Sequence, residues 1–398
     1  MQKKPITKSK IFRILENISS FKLKSETISL IYSKDRILSS NIKSKINLPP
    51  FNNSAVDGYA IRSDNLSNTK KFKCTYRITA GENKKIFLKK NEIARIFTGA
   101  IMPKNSKTIV MQENVLLLRD KIILKKIPKK GENCRIAGED IAKGSVVLKK
   151  GDIINSKNLN LLAAIGKTKI KVLKKIKVGY FTSGNELRKP SEKINNSEIN
   201  NSNQYSLKTL LDNEYIYSKN LGILKDSKKN IIHSLNKNIN KYNVIITAGG
   251  ASVGEEDHLV SALIEKGQVF FWKCAIKPGR PLAIGKIKNT IIICLPGNPV
   301  SVHLLFGMII KPFLFFLCSA KMIKPQPIKA KVNFSMKKKT QRLEWLRVKI
   351  IKSKEIIVDK YPKQGSGMIS SIAFSDGIVE IPENVKIINK GDKFDFYP

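Results

Sequence analysis

Four stretches of the chain gather residues that can act on an anion. In TAGGASVGEEDHL (247–259), Gly249, Gly250 and Gly254 let backbone N–H groups approach a phosphate closely, Ser252 adds a hydroxyl, and Glu255, Glu256 and Asp257 add carboxylates. Carboxylates belong beside a phosphate where a hard cation such as Mg2+ bridges them to its oxygens. Capping of the following helix accounts equally well for Glu255 and Glu256. In FWKCAIKPGRPLAIG (271–285), Lys273, Lys277 and Arg280 crowd three cations around a rigid Pro-Gly turn. In CLPGNPVS (294–301), Asn298 is placed to cap a helix and Pro299 to occupy its first position. In PFNNSAVDGYAIR (50–62), the lone Asp57 sits in a turn that becomes a short apolar strand, and a plain turn role is its alternative reading.

The elements around these stretches follow from periodicity. KIKVGYFTSG, YNVIITAGG and NTIIICLPG are short apolar runs that end in small residues, each with a helical pattern after it. Strand, glycine turn and helix in repetition predict a parallel sheet, whose ligands sit at the carboxyl ends of the strands. The chain opens with a helical region expected to run through about Ser39, in which Ile11, Phe12, Ile14, Leu15, Ile18 and Phe21 share a face. KCTYRITAGE, EIARIFTGA and TIVMQENVLLL alternate as strands, a glycine-punctuated GENCRIAGEDIAKGSVVLKKGD closes that β-rich block, and SKNLNLLAAIG is helical. PVSVHLLFGMIIKPFLFFLC is the nearest approach to a membrane span; Lys311-Pro312 is expected to break it after about three turns, which favours a buried core helix. From near Pro327 alternation returns and predicts a separate small β-domain.

A length of 398 residues exceeds one core and implies several domains. The formal net charge of +43 would point to nucleic acid or an acidic membrane, but the lysines are spread from end to end with abundant Ile and Asn and form no stripe. The expectation is therefore no nucleic acid and no membrane, with the charge drawing anionic small molecules toward a cleft. Five cysteines without a CxxC pair and three scattered histidines argue against a disulfide framework, a zinc site or a Ser/His/Asp hydrolase, and favour a cytoplasmic chain.

Taken in order, NNSAVDGYA, RIFTGAIMP, IVMQE, NCRIAGEDI, TSGNEL, GGASVGEEDHL, FWKCAIKPGRP, LPGNPVS and QGSGMISS resemble the motifs of the molybdopterin molybdenumtransferases, the MoeA family that includes the E domain of gephyrin. The resemblance spans nearly the whole chain. It implies a MoeA-like multidomain α/β fold: a stalk from 1–47 with 141–173, a β-rich insertion 48–140, a MogA-like parallel-sheet α/β domain 174–326 and a C-terminal β-barrel-like domain 327–398. It also implies an elongated homodimer in which one subunit's insertion completes the other's cleft.

The implied reaction inserts molybdenum from molybdate into adenylylated molybdopterin, with Mg2+ present and AMP released. The resemblance makes Asp57 a catalytic acid near the adenylyl phosphate and gives Glu186, Asp226 and Asp257 to Mg2+ binding or hydrolysis. Lys273 and Lys277 join the catalytic set, and Asp140 matches the acid of GEDI. A tetrahedral dianion needs fixed cations and neutral donors; Lys277, Arg280, Arg347, Ser370 and Ser371 match that site, with Arg342 the alternative to Arg347. Pro281, Gly249 and Gly250 match the substrate-binding turns, and Thr98 and Ser252 supply hydroxyls. Asn52, Asn185, Asn201 and Asn243 stand where the family has Asp, and Arg280 where it has Lys. Implied protein partners are the molybdopterin adenylyltransferase and cofactor-receiving molybdoenzymes. The rivals are an adenylyltransferase, a non-enzymatic scaffold and a nucleic-acid binder.

Overall fold

The computed structural model describes residues 4–62, 64, 71–119, 121–250, 258–352 and 354–398. The chain divides into two compact units: Met1–Thr27, Lys34–Ser39 and Lys171–Pro398 form one, and Ile28–Ser33 with Ser40–Ile170 forms the other.

In the first unit, helix α1 (Lys8–Glu16) starts where the Thr7 hydroxyl accepts from the Lys10 N–H, and it buries Ile11, Phe12 and Leu15. The expected helix to Ser39 is not formed: α1 ends at Glu16 and Ser25–Ser29 is a strand. Serines that compete for backbone hydrogen bonds and β-branched Thr and Ile that lose side-chain freedom in a helix account for the early stop.

The unit's α/β sheet contains β1 (Ile176–Ser183), β2 (Ile216–Leu224), β3 (Val244–Ala248), β4 (Gln268–Trp272), β5 (Ala283–Ile287) and β6 (Thr290–Leu295), in the spatial order β2-β1-β3-β6-β5-β4. The pairings among the first four of that order are parallel, and the two that follow, β6 with β5 and β5 with β4, are antiparallel. Every residue of β3 and β6 is buried, as continuous Ile-rich runs require when helices cover both faces. Helices α2 (Ser202–Leu210), α3 (Lys228–Asn238) and α4 (His258–Lys266) make the crossovers, and Ile231, Leu235, Leu259 and Leu263 share a core with Ile245 and Ile292. Because β2 lies on one side of β1 and β3 on the other, the order reverses there and the strand ends part into a crevice.

Helix α5 (Pro299–Ser319) is long and apolar enough to cross a membrane, yet most of it is buried inside the protein. The expected break at Lys311-Pro312 does not occur. Residues Phe306–Ile310 widen into a π-turn, in which the Lys311 N–H reaches the Phe306 carbonyl, and the helix continues to Ser319. Such a turn absorbs the missing proline N–H and the crowding of its ring without ending the helix.

The C-terminal strands close on themselves. Leu343–Lys352 pairs with Ile357–Lys360, that strand with Ile328–Val332, then Lys393–Tyr397, Gly377–Ile381, and finally Leu343–Lys352 again. Val332, Leu346, Val348, Val379, Ile381 and Phe396 fill the barrel. The segment Ile276–Lys277 adds a parallel edge to Leu343–Lys352.

In the second unit, six strands run in the order Ser106–Met111, Gly58–Arg62, Glu92–Ile96, Lys71–Ile78, Lys121–Leu124 and Val115–Leu118. Alternation along GYAIR sends Ala60 into one core, with Ile78 and Ile96, and Tyr59 and Ile61 into another, with Phe72 and Val110.

Candidate functional site

The carboxyl ends of β1, β3 and β6 and the loop after β2 surround a cavity of about 850 Å³ in the first unit. Two glycines shape it. Gly249, at φ +104°, brings its backbone so close to β1 that a Cβ there would lie 2.2 Å from the Ser183 carbonyl oxygen. A Cβ on Gly184 would meet the Glu186 carboxylate at 2.6 Å, so a glycine lets that acid fold back over the turn.

Glu186 and Asp226 both line this cavity, as do Gly249, Gly250 and Pro281. Ser183 Oγ donates to Asp226 Oδ1 at 2.9 Å, and the Asp226 N–H donates to Asn185 Oδ1 at 3.3 Å. Asn185 therefore spends its side-chain oxygen on the backbone. The other departures from Asp behave alike: Asn52 Oδ1 accepts from Ala137 N at 2.8 Å, Asn201 Oδ1 from Gln204 N at 3.2 Å and Asn243 Oδ1 from Lys177 N at 2.9 Å. Each position needs an acceptor oxygen, which an amide supplies without charge. Ser252, Gly254, Glu255, Glu256 and Asp257 lie outside the described residues. Among the described residues, no three His, Cys, Asp or Glu side chains gather as a metal cage. Two carboxylates on one cavity still suit Mg2+, which keeps waters and takes substrate phosphate oxygens as its remaining ligands.

The cationic turn is anchored beside the cavity. Cys274 N donates to the Arg280 carbonyl at 2.8 Å and Lys273 N to the Leu282 carbonyl at 3.1 Å, which presents Pro281 to the cavity. Lys277, half-exposed, does not line it; its ammonium pairs with Glu344 at 2.6 Å. Lys273, at φ +70°, lays its ammonium 4.1 Å from the centre of the Trp272 ring. Arg280 is exposed. Glu344 was not singled out from sequence, where nothing marks an acid in EWLRV as the partner of a lysine 67 positions earlier.

Arg347 is only 1% exposed and works on the backbone, donating to the carbonyls of Trp345 at 3.0 Å and Gly365 at 3.3 Å and to Ser371 Oγ at 3.1 Å. Burial pulls its pKa down to about 10. It secures the segment whose Gly367 and Ile369 line the cavity. Ser371 is buried and donates to the Met368 carbonyl at 2.7 Å, with Ser370 beside it opening a short helix. Arg342 donates weakly to the Ile276 carbonyl at 3.5 Å, on the cationic turn.

Asp57, Thr98 and Asp140 belong to the second unit. Asp57 Oδ1 accepts from Thr98 Oγ1 at 2.7 Å and from Thr98 N at 2.8 Å. These bonds, the backbone one foremost, hold its pKa below the usual carboxylate range, with Arg95 adding a smaller pull. A carboxylate so stabilised is favoured in its charged form, which suits it to face a cation or accept hydrogen bonds. Asp140 is exposed, its N–H bonded to the Leu48 carbonyl at 3.1 Å.

Residues 7–166 match the MoeA N-terminal region (domains I and II), 179–315 the "probable molybdopterin binding domain" and 329–398 the MoeA C-terminal region (domain IV). A molybdopterin molybdenumtransferase of Haemophilus influenzae is 32% identical over 390 residues, covering 97% of this chain and 96% of that protein. One from Staphylococcus aureus is 30% identical, covering 98% of this chain and 94% of its own length. The crystal structure of the molybdopterin biosynthesis MoeA protein from Pyrococcus horikoshii superposes with a TM-score of 0.85 at 26% identity, over 99% of this chain and all of that one. Order of motifs, three matched regions and full-length likeness agree, and the chain belongs to the MoeA family of molybdopterin molybdenumtransferases.

Proposed function

We propose that this protein transfers molybdenum from molybdate to adenylylated molybdopterin and releases AMP, as a Mg2+-dependent cytoplasmic homodimer. The observation that carries the reading is the pairing of Glu186 and Asp226 on one large cavity at the strand-order reversal. Glu186 and Asp226, with Asp257, would hold the ion, which when bound neutralises phosphate charge. Gly249 and Gly250 bring backbone toward the adenylyl phosphate, and Thr98 and Ser252 offer hydroxyls to the phosphate or the pterin. Asp57, ionised by its Thr98 bonds, accepts the proton of the water that cleaves the adenylyl linkage. Lys277, Arg280 and the Arg347–Ser371 region receive the oxyanion, with Lys273 beside them. The adenylyltransferase that makes the substrate and the molybdoenzymes that take the product are the natural protein partners.

Purified protein given adenylylated molybdopterin, molybdate and Mg2+ should release AMP in step with cofactor formation, and should elute at the mass of a dimer. Salt-sensitive DNA binding without AMP release would replace this reading with that of a nucleic-acid binder.

A further inference from the structure

Glu344 is 5% exposed and faces more positive charge than it can neutralise. Its carboxylate lies 2.6 Å from the Lys277 ammonium. The buried Lys338, whose ammonium donates to the Pro382 carbonyl, is drawn by the same carboxylate, and so is Arg347. Three cations face Glu344, with Glu383 as a second acid near Lys338, so the positive charges outnumber the negative ones by one. The pairing is built into the backbone as well: Ile276–Lys277 joins the barrel in parallel register, with Ile276 opposite Leu343 and Lys277 opposite Glu344. One N–H of the ammonium is spent on Glu344, and two remain for an acceptor on the exposed side.

We propose that Glu344 is a positioning residue for the oxyanion: it fixes the Lys277 ammonium where transfer needs it and moderates that cation's hold on molybdate. The inference rests on the reading that Lys277 receives the oxyanion. Glu344 touches neither substrate, and its two effects have opposite signs. Removing its charge strengthens attraction for a dianion, whereas releasing the lysine stem loses the geometry on which turnover depends.

The test compares Glu344→Gln, Glu344→Asp, Lys277→Ala and the Lys277→Ala/Glu344→Gln double variant in the full-length protein. Molybdate binding is measured by calorimetry, kcat by AMP release and integrity by thermal melting. Lys277→Ala should weaken molybdate binding about tenfold. Glu344→Gln should bind molybdate about threefold more tightly than the parent and turn over about tenfold more slowly, Glu344→Asp should return affinity to within about twofold, and in the Lys277→Ala background Glu344→Gln should no longer slow turnover. Weaker molybdate binding with a lowered melting temperature in both backgrounds would make Glu344 purely structural and overturn the proposal. So would unchanged affinity and turnover in Glu344→Gln while Lys277→Ala is impaired, and the role of Lys277 would then survive. Normal molybdate binding by Lys277→Ala would overturn both.

Discussion

Thr98 closes on Asp57 with both of its donors, Oγ1 at 2.7 Å and N at 2.8 Å from the same carboxylate oxygen. Asp57→Ala should fold normally and fail to release AMP, and Asp57→Asn should lose at least about 100-fold in rate, the scale of a missing proton acceptor. Thr98→Ala removes one donor from the anion, so the carboxyl pKa rises and the acidic limb of the pH–rate profile moves to higher pH. An unmoved limb would show that this carboxylate does not govern the rate.

Ser183 orients Asp226, and Asp226 shares its cavity with Glu186. Glu186→Gln and Asp226→Asn should each raise the Mg2+ concentration for half-maximal AMP release by about tenfold or more, since a charged oxygen ligand is lost. Ser183→Ala, which removes only the hydrogen bond, should cost about 1 kcal/mol in the same titration.

Gly249→Ala should be among the most damaging small substitutions. It forces a side chain into positive φ and drives a Cβ against the Ser183 backbone. A loss of about 3 kcal/mol in unfolding free energy is expected, whereas Gly222→Ala, also at positive φ but in open space, should cost about 1 kcal/mol. Denaturant titration of the two variants separates collision from conformation.

His303, on α5, has its pKa lowered by burial. With the folded value below the unfolded one, the unfolded chain binds more protons between them, so stability is complete above the unfolded value of about 6.5 and declines as pH falls through that window. His303→Gln should remove this acid sensitivity. Its melting temperature should change less than the parent's between pH 7.5 and pH 5.5.

Asn243→Asp should be nearly silent, within about 0.5 kcal/mol, because its Oδ1 already does what a carboxylate would do for the Lys177 N–H. A large loss in thermal melting would show that the introduced charge is not tolerated there.

The strand, glycine-turn and helix pattern exposed the parallel sheet, and with it the place where Glu186, Asp226 and Gly249 meet, because buried runs and turn glycines are local signals. Two local signals misled. Pro312 does not end its helix, since a π-turn just upstream makes room for it, and the amphipathic opening stops at Glu16, where serine and β-branched residues take over. The hydrogen bonds that Asp57 accepts were not legible in the sequence, because they come from a threonine 41 positions away.

Residue order alone determined the family, the cavity-forming turns and the excess of cations, since each is written in contiguous motifs or in composition. Tertiary structure decided what those cations do. It set Glu344 against Lys277 and sank Arg347 into a web of carbonyls, because such pairings join strands distant in sequence and their strength depends on burial that no local pattern encodes.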